Sequence, residues 1–299
     1  MNVFYHPSPS QQLTKPFPLS SMDLVSADQF TFDELTAAYN QTRVDYLVPM
    51  PMNVARLKEY ARVYDVSLSN SCVAMKGKAM LGLGMLGIRH TRSWITRLGV
   101  LPEGRRQGTA TAIMETLIAS ARRCHLESVW LEVIEGNDPA HQLFTNFGFV
   151  ETRELIVARR PPQPQQNPHV EEQVAEVKAL GHKEAVELLS KRRQQPNWLN
   201  QAETMQNARN LSALYVKLKD GSEGWVSYHA SILQLTRIIV EVVKGDPTEV
   251  TAVILSVLHD RYQRQDAKTE NLPDDKQWPG FLQAGYFDSF RRIEMVKRL

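Results

Sequence analysis

The stretch TRLGVLPEGRRQGTATAIMETLIASA, residues 96–121, decides the fold because it joins a strand pattern to a helix pattern through a basic turn. Apolar residues typical of a strand run from position 95 to position 100, and Pro102 breaks that strand. Beyond the turn, Ile113, Leu117 and Ala121 fall four residues apart, which predicts the buried face of a helix. We therefore expect a strand, a short basic turn and a helix in that order.

The turn has the composition of an anion site. The first N–H groups of a helix lack an intrahelical acceptor, and the helix dipole adds partial positive charge at that end. Gly108 lets an anion approach the backbone, Ala110 is nearly as small, and Arg105 and Arg106 supply charged donors. A Walker loop and a dinucleotide fingerprint are excluded, because their lysine and glycines are missing. A basic surface turn without function fits this hexamer equally well.

A second motif follows the helix. Residues 129–133, Val-Trp-Leu-Glu-Val, have the pattern of a buried strand, and Phe-Gly-Phe stands at 147–149. Between the two lie four spaced positions, Asn137, Ala140, Leu143 and Phe144. This downstream context favours a ligand site over a surface turn.

Together the two motifs resemble those of the GCN5-related N-acetyltransferase (GNAT) superfamily over residues 23–158. The acetyl-CoA motif of that family, Arg/Gln-x-x-Gly-x-Gly/Ala, is matched by Arg105, Gly108 and Ala110. The motif that follows in the family has an Asn after a strand, then an Ala, a Leu-Tyr pair and a Gly-Phe, in the order and spacing found here. One position departs, since Phe144 stands where many members carry Tyr.

The resemblance implies an α/β (α+β) fold with two GNAT-like domains. Each would be a mixed, largely antiparallel twisted sheet flanked by helices, with a V-shaped splay between central strands. The boundaries we expect are a flexible tail at 1–20, an acetyl-CoA-binding domain at 21–158, a Pro/Gln-rich linker at 159–168 and a degenerate GNAT-like domain at 169–299.

Local signals predict the remaining elements. Thr31 and Glu34 form a capping box that starts a helix ending near Gln41, and Asn53 caps a second helix. In the resembled family, the loop between these helices, here residues 45–52, often lines the acceptor pocket; a loop packed on its own core is equally open. The other expected elements are strands at 23–30, 68–75, 79–90, 151–158, 170–180, 213–218 and 224–228, and helices at 183–193 and 198–208.

The second half of the chain aligns with the first at a constant offset. The alignment pairs Arg97 with Arg237 and, after a short deletion, Gly148 with Gly285. The positions that carry chemistry change: Arg105, Gly108, Ala110 and Asn137 correspond to Gly245, Thr248, Val250 and Asp274. A β-branched residue at the first helical turn crowds a phosphate. We therefore expect the second domain to bind no cofactor of its own and to complete the acceptor pocket of the first.

The resemblance assigns the residues that would bind acetyl-CoA as a co-substrate. The pantetheine arm would lie along the strand residues Leu98, Gly99 and Val100, with a backbone N–H near Val100 donating to the thioester oxygen. Residues 105–110 would hold the pyrophosphate through backbone N–H groups. The full set is Leu98, Gly99, Val100, Arg105, Arg106, Gln107, Gly108, Thr109, Ala110, Asn137, Ala140, Leu143 and Phe144. We expect no metal site.

Proton transfer is the step for which the sequence leaves alternatives open. Phe144 has no hydroxyl to protonate the leaving thiolate, so another acid or water must serve, or the protein binds without turnover. Glu132 and His90 are the candidate catalytic bases, with Glu135 and His141 also in reach of the motif. Side chains of these four types are more often structural or solvated than catalytic, and Asn137 could simply cap a helix.

Composition limits the class of protein. Among 299 residues, 42% are hydrophobic and 23% charged, with a formal net charge of +2, so we expect neither a nucleic acid nor a membrane as partner. No apolar run approaches the ~20 residues of a membrane span. The two cysteines make no disulfide framework, which predicts a cytoplasmic protein. We expect a monomer or a homodimer.

The expected activity is transfer of an acetyl group from acetyl-CoA to a primary amine by direct attack. The acceptor would be a small molecule or a peptide. Two alternatives stay open at this point: a non-catalytic CoA- or acyl-CoA-binding or sensor protein, which Phe144 favours, and a protein-modifying acetyltransferase, which would need an open groove.

Overall fold

A single mixed sheet forms the centre of the molecule. The computed structural model describes residues 22–163, 170–192 and 195–299. Its strands are β1 (Asp23–Ser26), β2 (Val66–Lys76), β3 (Ala79–Arg89), β4 (Arg92–Val100), β5 (Ser128–Ile134), β6 (Val150–Arg160), β7 (Val174–Leu180), β8 (Ser212–Leu218), β9 (Glu223–Ala230), β10 (Gln234–Lys244), β11 (Asp266–Pro273) and β12 (Phe287–Arg298). Across the sheet they lie in the order β1-β2-β3-β4-β5-β12-β6-β11-β10-β9-β8-β7.

Helices pack on both faces of this sheet. They are α1 (Phe32–Gln41), α2 (Val54–Val63), α3 (Thr109–Arg123), α4 (Asp138–Asn146), α5 (Val170–Gln173), α6 (His182–Ser190), α7 (Ala202–Ala208), α8 (Pro247–Arg261) and α9 (Trp278–Gln283). The described residues also form three short 3-10 segments, Ala27–Gln29, Pro102–Gly104 and Trp198–Asn200. Within the described ranges, no helix combines the length and the apolar character that crossing a bilayer requires.

Local sequence signals start these helices as predicted. The Thr31 side chain accepts from the backbone N–H of Glu34, whose carboxylate accepts from the backbone N–H of Thr31, so the capping box of α1 is confirmed. Asn53 caps α2. The predicted face of α3 is buried, with Ile113, Leu117 and Ala121 inaccessible to solvent.

Two apolar clusters show which helices cover each face of the amino-terminal half, residues 22–163. Helices α3 and α4 pack with Leu131 and Val133 of β5. Helices α1 and α2 form a separate cluster on the opposite face. Val73 of β2 belongs to this cluster, whereas its neighbours in the strand belong to the α3 cluster. Because successive side chains of a strand point to opposite faces, Glu132 faces the α1 and α2 side.

The central strands splay apart as expected. Strands β4 and β5 run parallel and pair from Arg92↔Ser128 to Trp94↔Trp130, beyond which they separate. In the carboxy-terminal half, residues 170–299, strands β10 and β11 pair in parallel at two positions only, starting at Gln234↔Asp266. The splay of β4 and β5 opens a V-shaped slot in the sheet.

Backbone conformation fits the alignment of the two halves. Arg97 on β4 and Arg237 on β10 both have φ of +53°, which places each in the left-handed region at an irregularity of its strand. Gly148 and Gly285, which the alignment also pairs, have φ of +78° and +87°. The two halves therefore share unusual backbone geometry at residues that the sequence alignment pairs.

The two halves exchange strands. Strand β12, the last of the chain, lies between β5 and β6, antiparallel to both. Strand β6 in turn pairs with β11 of the carboxy-terminal half. The sheet is therefore continuous, and the predicted boundary at 158/159 does not separate two independent sheets.

Several predicted boundaries need correction. The linker expected from position 159 begins later, because Arg159 and Arg160 belong to β6 and pair with β11, where the buried Arg160 Nε donates to the Ala284 carbonyl. The first strand ends at Ser26, and the strand expected at 170–180 begins with α5 instead. The predicted tail at 1–20 and linker residues 164–168 lie outside the described residues.

Candidate functional site

A cleft of about 370 Å³ occupies the slot between β4 and β5. The residues of the predicted acetyl-CoA set that line it are Leu98, Gly99, Val100, Arg105, Ala110, Asn137, Ala140, Leu143 and Phe144. The remaining four, Arg106, Gln107, Gly108 and Thr109, belong to the turn beside its outer end without lining the cavity. Both sequence motifs thus contribute to one cleft.

The start of α3, at the outer end of the cleft, is open to a ligand. Gly108 occupies the N-cap position with φ of +79° and supplies no side-chain cap. No acceptor among the described residues reaches the backbone N–H groups of Gly108, Thr109 and Ala110. Apart from its two chain neighbours, no heavy atom lies within 4 Å of the point where a Cβ of residue 108 would stand. The Thr109 hydroxyl instead turns inward and donates to the Gly104 carbonyl at 2.7 Å.

Arg105 is engaged by the loop between α1 and α2. Its two terminal nitrogens donate to the two carboxylate oxygens of Asp45 at 2.5 and 2.7 Å. This guanidinium holds the pKa of the Asp45 carboxyl below its usual value. Both side chains are well exposed, so an incoming anion can compete with Asp45 for Arg105.

The equivalent helix of the carboxy-terminal half, α8, has a closed start. The Asp246 carboxylate accepts from the backbone N–H groups of Thr248 and Glu249 at 2.9 and 3.0 Å. Val250 is buried at the first turn, and the Thr248 hydroxyl donates to the Lys276 carbonyl. A capping carboxylate repels anions, so the start of α8 does not offer the open N–H groups that the start of α3 presents.

The middle of the cleft offers a hydroxyl that the sequence motif lacks. Asn137 caps α4, accepting from the backbone N–H of Ala140 at 3.4 Å, and its Nδ2 donates to the Tyr46 hydroxyl at 3.4 Å. Phe144 is buried and packs against Phe149. Tyr46 belongs to the loop flagged in the sequence as a possible pocket wall, and it lines the cleft.

Glu132 lies at the inner end of the cleft and is nearly buried, with its side chain 8% exposed. Burial raises the pKa of this carboxyl to about 7, partly offset by Arg292, which lies 3.9 Å away. Glu294, directly opposite on β12, adds to the increase in pKa. The Glu132 carboxyl can therefore exchange a proton near neutral pH, as a general base must.

The carboxy-terminal half forms part of this inner end through Leu199, Glu270 and Arg292. Arg292 donates to Asn271 Oδ1 at 2.6 Å and to Glu270 Oε2 at 3.1 Å. Burial alone would raise the pKa of the Glu270 carboxyl, but Arg292 and Lys268 outweigh it and hold that pKa below its ordinary value. Glu270 is thus an ion-pair partner, whereas Glu132 titrates.

Two further arginines line the cleft without a carboxylate partner among the described residues. Arg97 Nη1 donates to the Tyr39 hydroxyl at 3.0 Å, and its guanidinium lies 4.0 Å from the Tyr60 ring centre. Arg43 Nη2 donates to the Leu98 carbonyl at 3.0 Å. The Nε groups of both arginines and Nε1 of Trp94 are buried and lack a hydrogen-bond partner among the described residues. Unpartnered buried donors are costly, so these three groups set the inner wall of the cleft apart from an ordinary core.

The structure does not place His90 in the cleft. Position 90 follows the end of β3, whereas the cleft opens at the far end of β4, and the His90 ring is exposed beside Glu203. His141 is engaged by Glu151 at 2.7 Å, and neither it nor the exposed Glu135 lines the cleft. Of the four candidate bases, only Glu132 lines the cleft. Within the described part of the chain, no three His, Cys, Asp or Glu side chains are grouped as a metal site.

Sequence reasoning missed Tyr46, Arg43, Arg97, Glu270 and Arg292. The recurrence of Thr-Arg at 96–97 and 236–237 was a usable signal for a special strand position. Glu270 and Arg292 had no local signal, because strand exchange alone brings them to the cleft.

Comparison with known proteins agrees with this geometry. Residues 34–149 match the acetyltransferase (GNAT) family. A search of curated proteins found no significant match.

Solved structures share the fold over nearly the whole chain. A GCN5-related N-acetyltransferase from Sphaerobacter thermophilus is 14% identical, with 93% of this chain and 95% of that chain covered and a TM-score of 0.65. A tandem GNAT protein from the clavulanic acid biosynthesis pathway is 14% identical, with 93% and 98% covered and a TM-score of 0.62. A GCN5-related N-acetyltransferase from Kribbella flavida is 14% identical, with 94% and 72% covered and a TM-score of 0.58.

Proposed function

We propose that this protein is an acetyl-CoA-dependent N-acetyltransferase, because residues 34–149 match the acetyltransferase (GNAT) family and the chain has the fold of tandem GNAT proteins. Its reaction is transfer of the acetyl group to a primary amine by direct attack. One observation carries the proposal: a single cleft joins an uncapped helix start to a buried carboxyl with a pKa of about 7.

The amino-terminal half binds the acyl donor. The backbone N–H groups at the start of α3 hold the pyrophosphate, and Arg105 exchanges Asp45 for this anion. The pantetheine arm lies between β4 and α4, against Leu98, Gly99, Val100 and the side chain of Phe144. A backbone N–H near Val100 stabilises the negative charge that develops on the thioester oxygen.

The two proton transfers use different sides of the cleft. Glu132 accepts a proton from the ammonium group of the acceptor, which must be neutral to attack. The Tyr46 hydroxyl, beside Asn137, protonates the leaving thiolate in place of the tyrosine that Phe144 replaces. No covalent enzyme intermediate is needed.

The carboxy-terminal half is a degenerate GNAT-like domain without its own cofactor. The Asp246 cap and the buried Val250 support this assignment. Its role is to close the inner end of the cleft with Leu199, Glu270 and Arg292. A closed inner end favours a small acceptor over a protein side chain. Both cysteines are free, which is compatible with the cytoplasm.

Two measurements on the full chain test the proposal. Calorimetric titration with acetyl-CoA is expected to show binding, and release of free CoA thiol is expected to depend on an added primary amine. Absence of binding would overturn the proposal. Binding without amine-dependent thiol release across a broad panel of amines would favour the non-catalytic acyl-CoA-binding alternative. Phe144, which has no hydroxyl, is the residue that favours this alternative.

A further inference from the structure

The lining of the cleft as a whole carries more positive than negative charge. Four arginines line the cleft, at positions 43, 97, 105 and 292, against two glutamates, Glu132 and Glu270. Arg105 pairs with Asp45 and Arg292 pairs with Glu270. Arg43 and Arg97 form no ion pair with a carboxylate among the described residues. Arg43 and Arg97 are half-buried, each with a buried Nε. Each can therefore gain from a negative partner in the cleft, because charges removed from water are stabilised by pairing.

We propose that the acceptor is a small amine that also carries a carboxylate, in the manner of an amino acid, and that Arg97 binds this carboxylate. This inference rests on the proposed N-acetyltransferase activity and names its substrate class. The amine of such an acceptor lies at Glu132 and its carboxylate at Arg97.

Position selects Arg97 over the other arginines. It stands at the irregularity of β4 with φ of +53°, just past Trp94, where β4 and β5 begin to separate. The rings of Tyr39 and Tyr60 and the Tyr39 hydroxyl hold its guanidinium while Nε stays unpartnered. A planar guanidinium fixed in this way is preorganised for a carboxylate.

Arg43 has a different place. It donates to the Leu98 carbonyl and stacks on the Tyr46 ring, with 4.1 Å between the guanidinium carbon and the ring centre. Leu98 belongs to the strand assigned to the pantetheine arm, so Arg43 lies along the donor half of the cleft. That arm is uncharged, and it supplies carbonyl acceptors but no anion near Arg97.

The charge balance also disfavours polycationic acceptors. A polyamine or a lysine-rich peptide needs several carboxylates, whereas Glu270 is already paired with Lys268 and Arg292. Only Glu132, which titrates near neutral pH, is left to receive one ammonium group. The carboxylate of Glu132 can thus receive one ammonium group and the guanidinium of Arg97 one anion, which matches an acceptor with a single amine and a single carboxylate.

Matched acceptor pairs test the proposal by thiol release from acetyl-CoA. The pairs are alanine with ethylamine, leucine with 3-methylbutylamine and phenylalanine with phenethylamine, and each amino acid is also compared with its carboxamide. The amines are more basic than the amino acids and the carboxamides less basic, so basicity cannot explain a preference over both. We expect kcat/KM to be at least about tenfold higher for the carboxylate member, as one charge-assisted contact predicts.

Substitution at Arg97 tests whether this residue causes the preference for acceptors with a carboxylate. Arg97→Met is expected to abolish it through a higher KM for the amino acids, with little change for the matched amines, and Arg97→Lys is expected to restore part of it. Arg237→Met is the control, because Arg237 has the same φ of +53° but lies outside the cleft. It is expected to leave the preference intact.

The outcomes separate this inference from the activity on which it rests. Thiol release without preference for carboxylate members, or a preference that survives Arg97→Met, overturns the inference and leaves the acetyltransferase activity standing. Phosphoethanolamine and ethanolamine are assayed as an additional pair. A preference confined to phosphoethanolamine also overturns the carboxylate assignment. Acetyl-CoA binding without release by any amine overturns the activity and the acceptor class together.

Discussion

Glu132 shows how its surroundings raise the pKa of an ordinary strand residue. Its neighbours Leu131 and Val133 pack in the α3 cluster, so the carboxyl must face the opposite side of the sheet. There it meets Arg292 and Glu294 from β12, Glu270 and Asn271 from β11, and Tyr60 from α2. Burial outweighs the attraction of Arg292, and the pKa rises to about 7.

The pH dependence of activity follows from that pKa. Since the base must be ionised, kcat/KM is expected to rise with pH through about 7 and then level off. Glu132→Gln is expected to lower kcat about 100-fold and to remove this titration from the profile. Steady-state rates from pH 5.5 to 9 on each protein provide the measurement, with the pH range chosen to span about two units around the pKa.

Glu135→Gln is the control for that experiment. Glu135 follows the same strand but is exposed and does not line the cleft. Its variant should keep the wild-type rate and profile. A Glu132→Gln enzyme that retained both would exclude this carboxyl as the base.

Tyr46 is the residue we assign to the second proton transfer. Tyr46→Phe removes one hydroxyl and is expected to lower kcat about 10- to 100-fold, while the affinity for acetyl-CoA stays the same, because the ring keeps its place under Arg43. Single-turnover thiol release and calorimetry measure the two quantities. Phe144→Tyr, introduced into the Tyr46→Phe protein, should recover part of the rate. Unchanged kcat in Tyr46→Phe would assign the proton to water.

At the scale of the element, the starts of α3 and α8 show how one helix position gains or loses a ligand. Both helices follow a splayed strand at equivalent places in the two halves. Gly108 leaves the backbone N–H groups of α3 open, whereas Asp246 occupies those of α8. The proposed donor site at α3 and the closed start of α8 thus differ in one capping side chain and in the bulk that follows it.

Gly108→Val is expected to abolish acetyl-CoA binding while the fold persists. The Cβ of the new side chain meets no protein atom beyond its chain neighbours, but the side chain fills the space above the N–H groups and strains a backbone with φ of +79° by about 1–2 kcal/mol. Calorimetry and thermal unfolding separate the two effects.

Gly77→Val is matched to this variant, since φ is +61° and its Cβ would also meet no atom within 4 Å. Gly77 lies in the β2–β3 turn, away from the cleft, so its variant should lose similar stability and keep full binding. Thr248→Val, at the closed start of α8, should change neither the affinity nor the number of sites. Retained affinity in Gly108→Val, or a second bound CoA in the wild type, would contradict this account.

At the scale of the whole molecule, local patterns predicted the elements and long-range pairing determined the site. The sequence alone predicted the strand-turn-helix at 95–121, the caps at Thr31 and Asn53 and the two motifs, because each depends on neighbours within a few residues. It did not predict the pairing of β12 with β5, because the order of strands in a sheet leaves no mark on local spacing. Glu132 was therefore found only as one of four candidates, and Arg292 was not found at all.

Strand exchange also predicts that neither half folds alone. Strand β12 pairs with β5 from Arg292↔Ile134 to Arg298↔Ser128, and with β6 on its other side, so residues 1–163 alone lack the strand between β5 and β6. An uncovered gap between two buried strands exposes unpaired backbone groups and apolar surface. We expect residues 1–163 to be insoluble or aggregated when produced alone, as judged by size-exclusion chromatography and circular dichroism.

Production of the two halves together tests this coupling directly. Residues 1–163 and 164–299, made as separate chains in one cell, should copurify as a one-to-one complex that binds acetyl-CoA and unfolds in a single transition, because β6 and β12 each lie in the other half's part of the sheet. Residues 164–286, which lack β12, should fail to rescue the first half although they retain β11, the partner of β6. A monomeric 1–163 fragment with wild-type affinity for acetyl-CoA would show that strand exchange is not required for folding of the first half. Arg292 could then contribute to binding of the acceptor but not to stability of the fold.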